Sequence, residues 1–106
     1  MPLPPPMPEG TRMLPEGTYA GQVVAITGGG TGLGKAFAIE FARLGATIAI
    51  LSRKEEHRLK GVRAVEAIGG RAVQFPLDVR DPLAVAAAFD AIEASVGPVN
   101  VFLNNA

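Results

Sequence analysis

Residues 22–34, QVVAITGGGTGLG, decide the fold of this chain. The first six residues of the stretch are almost all apolar, a pattern typical of a strand that is buried on both faces of a parallel sheet. Apolar residues with helical spacing begin at about Gly32 and continue to Gly45, a residue type that often ends a helix. A strand that runs through glycines into a helix predicts the first half of a βαβ unit.

The glycine-rich turn within this stretch, TGGGTGLG at residues 27–34, has the composition of a phosphate-binding turn. Glycine adopts positive φ without strain and has no side chain to hold off a ligand. A helix that starts at its end directs unpaired N–H groups and a positive dipole end at one place, which suits a pyrophosphate. The spacing T-G-x-x-x-G-x-G rests on Gly28, Gly32 and Gly34. Ala36 stands where a P-loop needs a hydroxyl.

The rest of the chain alternates strands and helices. Apolar runs predict strands at residues 47–51, 72–77 and 99–103, and amphipathic segments predict helices at 54–68 and 83–96. Asp81 and Pro82 suit the N-cap and first position of the last helix, and Pro76 predicts that the third strand is short or near an edge. The pattern predicts an α/β fold, a Rossmann-type doubly wound parallel sheet with strand order 3-2-1-4. Its ligand crevice is expected at the carboxyl ends of strands one and four.

The length of 106 residues allows one small domain. Residues 1–17 contain six of the nine prolines, which predicts an extended or disordered leader, with a proline-rich recognition ligand as the alternative. Residues 18–106 are then expected to form a dinucleotide-binding βαβαβαβ segment of a longer domain.

The composition narrows the possible partners. The formal net charge is zero, which argues against a nucleic-acid surface. No cysteine is present, so there is no disulfide framework, thiolate metal site or cysteine nucleophile, and we expect no metal. The chain has no apolar run of about 18 residues and no secretory signal, so we expect no membrane partner and a cytoplasmic location.

The glycine-rich turn resembles the signature of the short-chain dehydrogenase/reductase family. Leu77-Asp78-Val79 resembles the pair of residues that holds the adenine in that family, and Asn104-Asn105-Ala106 resembles the start of its N-N-A-G motif. The three motifs occur in family order and at family spacing over residues 20–106. The resemblance implies an oxidoreductase that transfers hydride with a nicotinamide cofactor.

The turn and the resemblance together predict the cofactor-binding residues. They lie in the glycine-rich turn and after the second, third and fourth strands. They are Gly28, Gly30, Thr31, Gly32, Leu33, Gly34, Ser52, Arg53, Lys54, Asp78, Val79, Asn104, Asn105 and Ala106. A turn-forming role for Asp78 and a purely structural role for one of the asparagines are open alternatives.

The residues after the second strand choose between the two nicotinamide cofactors. An acidic residue there binds the ribose hydroxyls of NAD, whereas an arginine accommodates the 2′-phosphate of NADP. This chain has Ser52-Arg53-Lys54 and no carboxylate before Glu55. A guanidinium forms charge-assisted hydrogen bonds with a phosphate, so the sequence predicts NADP(H). The alternative is that Arg53 and Lys54 only begin a solvated helix.

A narrower resemblance is to the 2,4-dienoyl-CoA reductase branch of the family, which acts in fatty-acid metabolism. It is carried by Met13-Leu14-Pro15, Gly21-Gln22-Val23, Ser52-Arg53-Lys54 and the stretch DVRDP at residues 78–82. The resemblance implies a small-molecule substrate, an acyl-CoA, with Arg80 in contact with it, and a homotetrameric full-length enzyme. A solvated turn is the other interpretation of Arg80. Reduction of a 3-oxoacyl or other ketone substrate and a non-catalytic nucleotide-binding module are the alternative functions.

The family's chemistry depends on a Y-x-x-x-K motif, in which the tyrosine acts as an acid and the lysine lowers its pKa. The one tyrosine here, Tyr19, is followed four residues later by Val23, so it does not form the motif. His57 lies in a charged segment and is expected on a solvated helix face. The sequence therefore predicts no catalytic residue in this chain and the cofactor-binding half of a longer enzyme.

Overall fold

A computed structural model describes residues 14–105 of the chain. Strands and helices alternate as the sequence predicts, with ends that differ by a few residues. The elements are β1 (Val23–Thr27), α1 (Gly32–Arg43), β2 (Thr47–Ser52), α2 (Glu55–Glu66), β3 (Arg71–Pro76), α3 (Pro82–Ser95) and β4 (Val101–Asn104). The predictions for residues 1–13 of the proline-rich leader and for Ala106 lie outside the described residues.

The four strands form one parallel sheet with the order β3-β2-β1-β4, which confirms the predicted order. Val24 of β1 pairs with Ile48 of β2 on one side and Val101 of β4 on the other. β3 lies at an edge and ends in Pro76, as the missing proline donor predicts. No helix among residues 14–105 is long and apolar enough to cross a membrane.

β4 begins two residues later than the sequence predicts. The position before it is taken by Asn100, whose N–H donates to the Val23 carbonyl at 2.9 Å. The Asn100 Oδ1 accepts from the Val23 N–H at 2.7 Å. The Asn100 side chain thus takes the place of a backbone acceptor in the ladder between β1 and β4, and β4 starts at Val101.

The core lies on both faces of the sheet, and β1, which like β2 contacts both helix layers, is buried along its whole length. Successive side chains of a strand point to opposite faces, so Val24 and Ile26 pack beneath α1 and α2 while Val23 and Ala25 pack beneath α3. This arrangement confirms the doubly wound layer order. It also explains the near-continuous apolar runs of β1 and β2.

The N-terminus of α3 is built as the sequence predicts. The Asp81 carboxylate accepts from the N–H of Leu83 at 3.0 Å and of Ala84 at 3.4 Å, and Pro82 occupies the first position of the helix. Because all four strands run parallel, their carboxyl ends meet at one edge of the sheet. The segments that follow β1, β2 and β3 rise from this edge and form the walls of a cleft.

Candidate functional site

A cleft of about 470 Å³ lies at the carboxyl ends of β1, β2 and β3. Its lining residues are Thr27, Gly28, residues 51–54, His57 and residues 77–80. The cleft therefore brings together seven of the predicted site residues: Gly28, Ser52, Arg53, Lys54, Asp78, Val79 and Arg80. The sequence predicts the crevice at the carboxyl ends of the first and fourth strands, and the end of the first strand lines this cleft, whose other walls are the segments after β2 and β3 and the first turn of α2.

Two glycines of the turn allow the segment after β4 and the start of α1 to lie against the end of β1. Gly28 has a φ of +68°, and a Cβ there would lie 3.0 Å from the carbonyl oxygen of Asn105. A Cβ on Gly34 would overlap the Gly28 carbonyl and come within 2.7 Å of Asn105 Nδ2. Any larger residue at Gly34 would push the helix off the sheet, as the sequence predicts.

Gly32 marks the open side of the same turn. Its φ is +53°, and nothing lies within 4 Å of the position that a Cβ would take. α1 begins there, and its N-cap residue Thr31 makes no side-chain hydrogen bond to the helix. Thr31, Gly32 and Leu33 are all exposed. The turn thus leaves an uncapped helix start in open space, which is the arrangement that an anion or a pyrophosphate fits.

Gly30 is buried under α2. A Cβ there would overlap the backbone carbonyl of His57, so packing alone accounts for the glycine. A Cβ on Gly61 of α2 would lie 2.8 Å from the Gly29 carbonyl oxygen and 2.6 Å from Ile50 Cδ1. The turn and α2 therefore meet backbone to backbone, and a phosphate contact by Gly30 stays a prediction. The sign of this close approach in the sequence is Gly61, because a glycine inside a helix lowers stability by about 1 kcal/mol relative to alanine.

The close approach of α2 also places His57. Its side chain is half-buried and lines the cleft, although the charged sequence around it predicts a solvated helix face. The physical reason is that the His57 backbone packs directly against Gly30, so the first turn of α2 lies over the sheet edge.

Thr27, which the sequence did not single out, ties the ends of β1 and β4 together. Its side chain is buried, and its Oγ1 accepts from the Asn105 N–H at 2.8 Å. The same hydroxyl donates to Asn104 Oδ1 at 3.0 Å. Both asparagines therefore have structural partners in this network. A contact of either one with a cofactor stays a prediction.

The segment between β2 and α2 presents two cations. The Arg53 and Lys54 side chains line the cleft and are exposed, and neither makes a hydrogen bond or an ion pair with any of residues 14–105. The Ser52 hydroxyl donates to the Lys54 carbonyl at 3.1 Å, so its proton is used within the turn.

Arg58 lies beneath this segment and was not predicted as a site residue. It is 9% exposed, and its Nη1 donates to the carbonyl oxygens of Ser52 at 2.8 Å and Arg53 at 2.9 Å. Its Nε donates to Gln74 Oε1 at 3.0 Å. The available signal was its spacing: Arg58 precedes Gly61 and Val65 by three and seven residues and shares their buried face.

Asp78 and Arg80 form an exposed ion pair on the opposite wall. Nε and Nη2 of Arg80 donate to the two carboxylate oxygens at 3.0 and 2.8 Å. The Arg80 N–H also donates to Oδ1 at 3.0 Å. These hydrogen bonds hold the pKa of Asp78 well below its ordinary value and raise the pKa of Arg80. Arg80, predicted as a substrate contact, is turned onto Asp78 here.

Comparison with known proteins gives consistent similarities. The profile of the family described as short chain dehydrogenase matches residues 22–106. An uncharacterized oxidoreductase of Caenorhabditis elegans is 45% identical over 95 residues, which are 88% of this chain and 30% of the relative. A probable 2,4-dienoyl-CoA reductase of the same organism is 42% identical over 96 residues, 89% of this chain and 31% of the relative.

Solved structures agree with the fold. A citronellol catabolism dehydrogenase of Pseudomonas aeruginosa superposes with a TM-score of 0.81 at 31% identity, covering 85% of this chain and 38% of that one. The chain thus spans about a third of the length of the relatives it matches.

Proposed function

Since the chain belongs to the short-chain dehydrogenase family, we propose that its cleft binds NADP(H) as the cofactor-holding part of a reductase. Membership of this oxidoreductase family implies a nicotinamide cofactor. The observation that carries the choice of NADP(H) is a pair of exposed cations at the end of β2. The side chains of Arg53 and Lys54 make no hydrogen bond or ion pair with any of residues 14–105.

The charge of the cleft supports this choice. Its lining includes three cations, Arg53, Lys54 and Arg80, and one carboxylate, Asp78, which is already bonded to Arg80. A 2′-phosphate entering next to Arg53 therefore meets no unpaired anion in the cleft wall. An acidic residue at the end of β2 would repel that phosphate, and the first acidic residue after β2 is Glu55, inside α2.

The residues present fit the parts of the cofactor. The open, uncapped start of α1 at Gly32 suits the pyrophosphate. Arg53 and Lys54 suit the 2′-phosphate of the ribose, and Asp78 with Val79 suits the adenine. Asp78 Oδ1 already accepts two hydrogen bonds from Arg80, but Oδ2 accepts only one and has a second lone pair, so Oδ2 accepts from an amino group without releasing Arg80. The bound cofactor supplies the hydride, and these residues hold and orient it.

For the whole protein, we propose reduction of an enoyl- or dienoyl-CoA thioester by hydride transfer, in a homotetramer. The support for this substrate class is the similarity to a probable 2,4-dienoyl-CoA reductase over 89% of this chain. Reduction of 3-oxoacyl or other ketone substrates is the competing reaction, and nucleotide binding without catalysis is the competing role.

The test uses the whole protein, for which the substrate is proposed, and separates cofactor from substrate. Titration calorimetry with NADPH and NADH should give at least about tenfold tighter binding of NADPH, the value of one charge-assisted contact. Equal or tighter binding of NADH contradicts the cofactor proposal. Turnover with NADPH is then compared between a 2,4-dienoyl-CoA and a 3-oxoacyl-CoA of equal chain length. Faster reduction of the 3-oxoacyl ester, or turnover of neither, contradicts the substrate proposal and leaves the cofactor result intact.

A further inference from the structure

We propose that Arg58 is a positioning residue for cofactor selectivity, because its guanidinium holds the turn that presents Arg53 and Lys54 to the cleft. The inference rests on the proposed function and explains how a preference for the 2′-phosphate is built into the fold. Arg58 does not line the cleft itself, so it acts through the turn above it.

The Arg58 side chain joins three elements at one point. It projects from the first turn of α2 and donates to the carbonyls of Ser52 and Arg53 at 2.8 and 2.9 Å, and to Gln74 of β3 at 3.0 Å. Nη1 alone donates to the two successive carbonyls, and Nε of the same planar guanidinium donates to Gln74, a pair of separate nitrogen donors that the single ammonium of a lysine does not have. The turn is thereby fixed to α2 and β3 together.

The bonded carbonyls determine where the N–H groups of the turn point. Each peptide unit is planar and trans, so its N–H is directed opposite to its carbonyl. With the Ser52 and Arg53 carbonyls directed at Arg58, the N–H groups of Arg53 and Lys54 face away from it. Neither N–H has an acceptor among residues 14–105. Two backbone donors are thus left available beside the two cationic side chains.

The remaining carbonyl of the turn is also fixed. The Lys54 oxygen accepts from the Ser52 hydroxyl at 3.1 Å and from the N–H groups of His57 and Arg58 at 3.1 and 3.2 Å. Three successive carbonyls therefore have partners before any ligand arrives. A turn ordered in advance loses less conformational freedom when it binds a phosphate, which increases affinity.

The charge of Arg58 also supports a role in binding a phosphate at the turn. Buried cations are normally paired with a carboxylate, but the three Arg58 hydrogen bonds go to neutral oxygens. Among residues 14–105 no carboxylate forms an ion pair with it. Its positive charge lies under the Arg53–Lys54 turn in surroundings that screen it less than water does. The field at the turn therefore favours an anion.

The experiment compares two nucleotides that differ by one phosphate. Adenosine 2′,5′-bisphosphate and adenosine 5′-monophosphate are titrated into the full chain and into Arg58→Met, Arg58→Lys and Gln74→Leu. The matched control is Arg63→Met, which removes an exposed arginine from the same helix. Circular dichroism and thermal unfolding establish that each variant is folded.

We expect Arg58→Met to reduce the preference for the bisphosphate over the monophosphate about tenfold, which is the size of a charged hydrogen-bond contribution. Its affinity for the monophosphate should change less than about twofold. Arg58→Lys should recover only part of that preference, and Gln74→Leu should lose about threefold. Arg63→Met should match the unaltered chain.

Equal weakening of both nucleotides by Arg58→Met, or an unchanged preference, overturns the inference, because a merely structural arginine gives those results. The proposed function survives in that case, since the unaltered chain still prefers the bisphosphate. If Arg58→Met does not fold, Gln74→Leu decides, and an unchanged preference in that variant overturns the inference. Absence of any preference in the unaltered chain rejects the proposed function and the inference together.

Discussion

The Arg80 guanidinium binds the Asp78 carboxylate edge to edge, with Nε 3.0 Å from Oδ1 and Nη2 2.8 Å from Oδ2. The two residues are separated by Val79 only, so the pair exists because the segment after β3 turns back on itself. The Arg80 N–H closes that turn on Oδ1 at 3.0 Å. The pair fixes the charge of one cleft wall. It also joins Arg80, the predicted substrate contact, to Asp78, the predicted adenine contact.

The first prediction concerns the titration of Asp78. The hydrogen bonds from Arg80 lower the pKa of Asp78 below its ordinary value of 3.8. A carboxyl with a lowered folded-state pKa stabilises the fold above its unfolded pKa, and that contribution is lost as the pH falls through the folded pKa. Arg80→Gln should therefore return the pKa of Asp78 toward 3.8, as followed by NMR of the side-chain carboxyl.

The same variant gives a stability test. The difference in unfolding temperature between the unaltered chain and Arg80→Gln should be full near neutral pH and shrink as the pH falls below 3.8. Both partners are exposed, so added salt should also reduce the difference. A difference that grows as the pH falls contradicts the assignment.

The second prediction concerns Arg53. Arg53→Met removes the guanidinium proposed to meet the 2′-phosphate, so NADPH should bind about 10- to 100-fold more weakly, the range of a charge-assisted hydrogen bond. NADH, which lacks that phosphate, should change by less than about twofold. Lys60→Met is the control, because Lys60 is an exposed cation on α2 outside the cleft lining. Parallel losses for NADH and NADPH, measured by calorimetry, count against the assignment.

The third prediction concerns the Thr27 hydroxyl. Thr27→Val keeps the size of the side chain but leaves the Asn105 N–H without its 2.8 Å acceptor and Asn104 Oδ1 without its donor. We expect a loss of about 1–3 kcal/mol in the free energy of unfolding, measured with urea. Thr27→Ser keeps the hydroxyl and should lose less. If serine and valine lower the stability equally, the missing methyl group and not the hydroxyl bonds accounts for the effect.

Local patterns were sufficient for most of the fold. The apolar runs at β1 and β2 predicted buried parallel strands, and Pro76 predicted the position of β3 at an edge. The Asp81–Pro82 pair predicted the start of α3. In each of these cases the physical cause lies within a few residues of the sequence, so periodicity and capping rules apply.

The parts that the sequence did not predict depend on contacts between distant segments. Gly30 is buried because α2 crosses it at His57, and Arg58 matters because two carbonyls of a turn and a glutamine of β3 converge on it. The spacing of Arg58, Gly61 and Val65 indicates one buried face of α2, but it does not indicate which distant groups meet that face. The sequence likewise did not predict that α2 and the segment after β3 form walls of the cleft.

The last prediction separates backbone strain from ligand binding with a matched pair of glycines. Gly32 has a φ of +53° and Gly69 a φ of +81°, and neither has an atom within 4 Å of its Cβ position. Gly32 opens α1 beside the cleft, whereas Gly69 follows the end of α2. Gly32→Ala and Gly69→Ala should each cost about 1–2 kcal/mol of stability, because alanine is strained at positive φ.

Only Gly32→Ala should also weaken NADPH binding, since its methyl group would occupy the space in front of the first N–H groups of α1. We expect a loss of at least about tenfold, equivalent to about 1.4 kcal/mol, with Gly69→Ala unchanged. Calorimetry at equal folded fractions measures NADPH binding by the two variants. A similar loss of affinity in the two variants would show that strain alone weakens binding, and it would remove the start of α1 as the proposed pyrophosphate site.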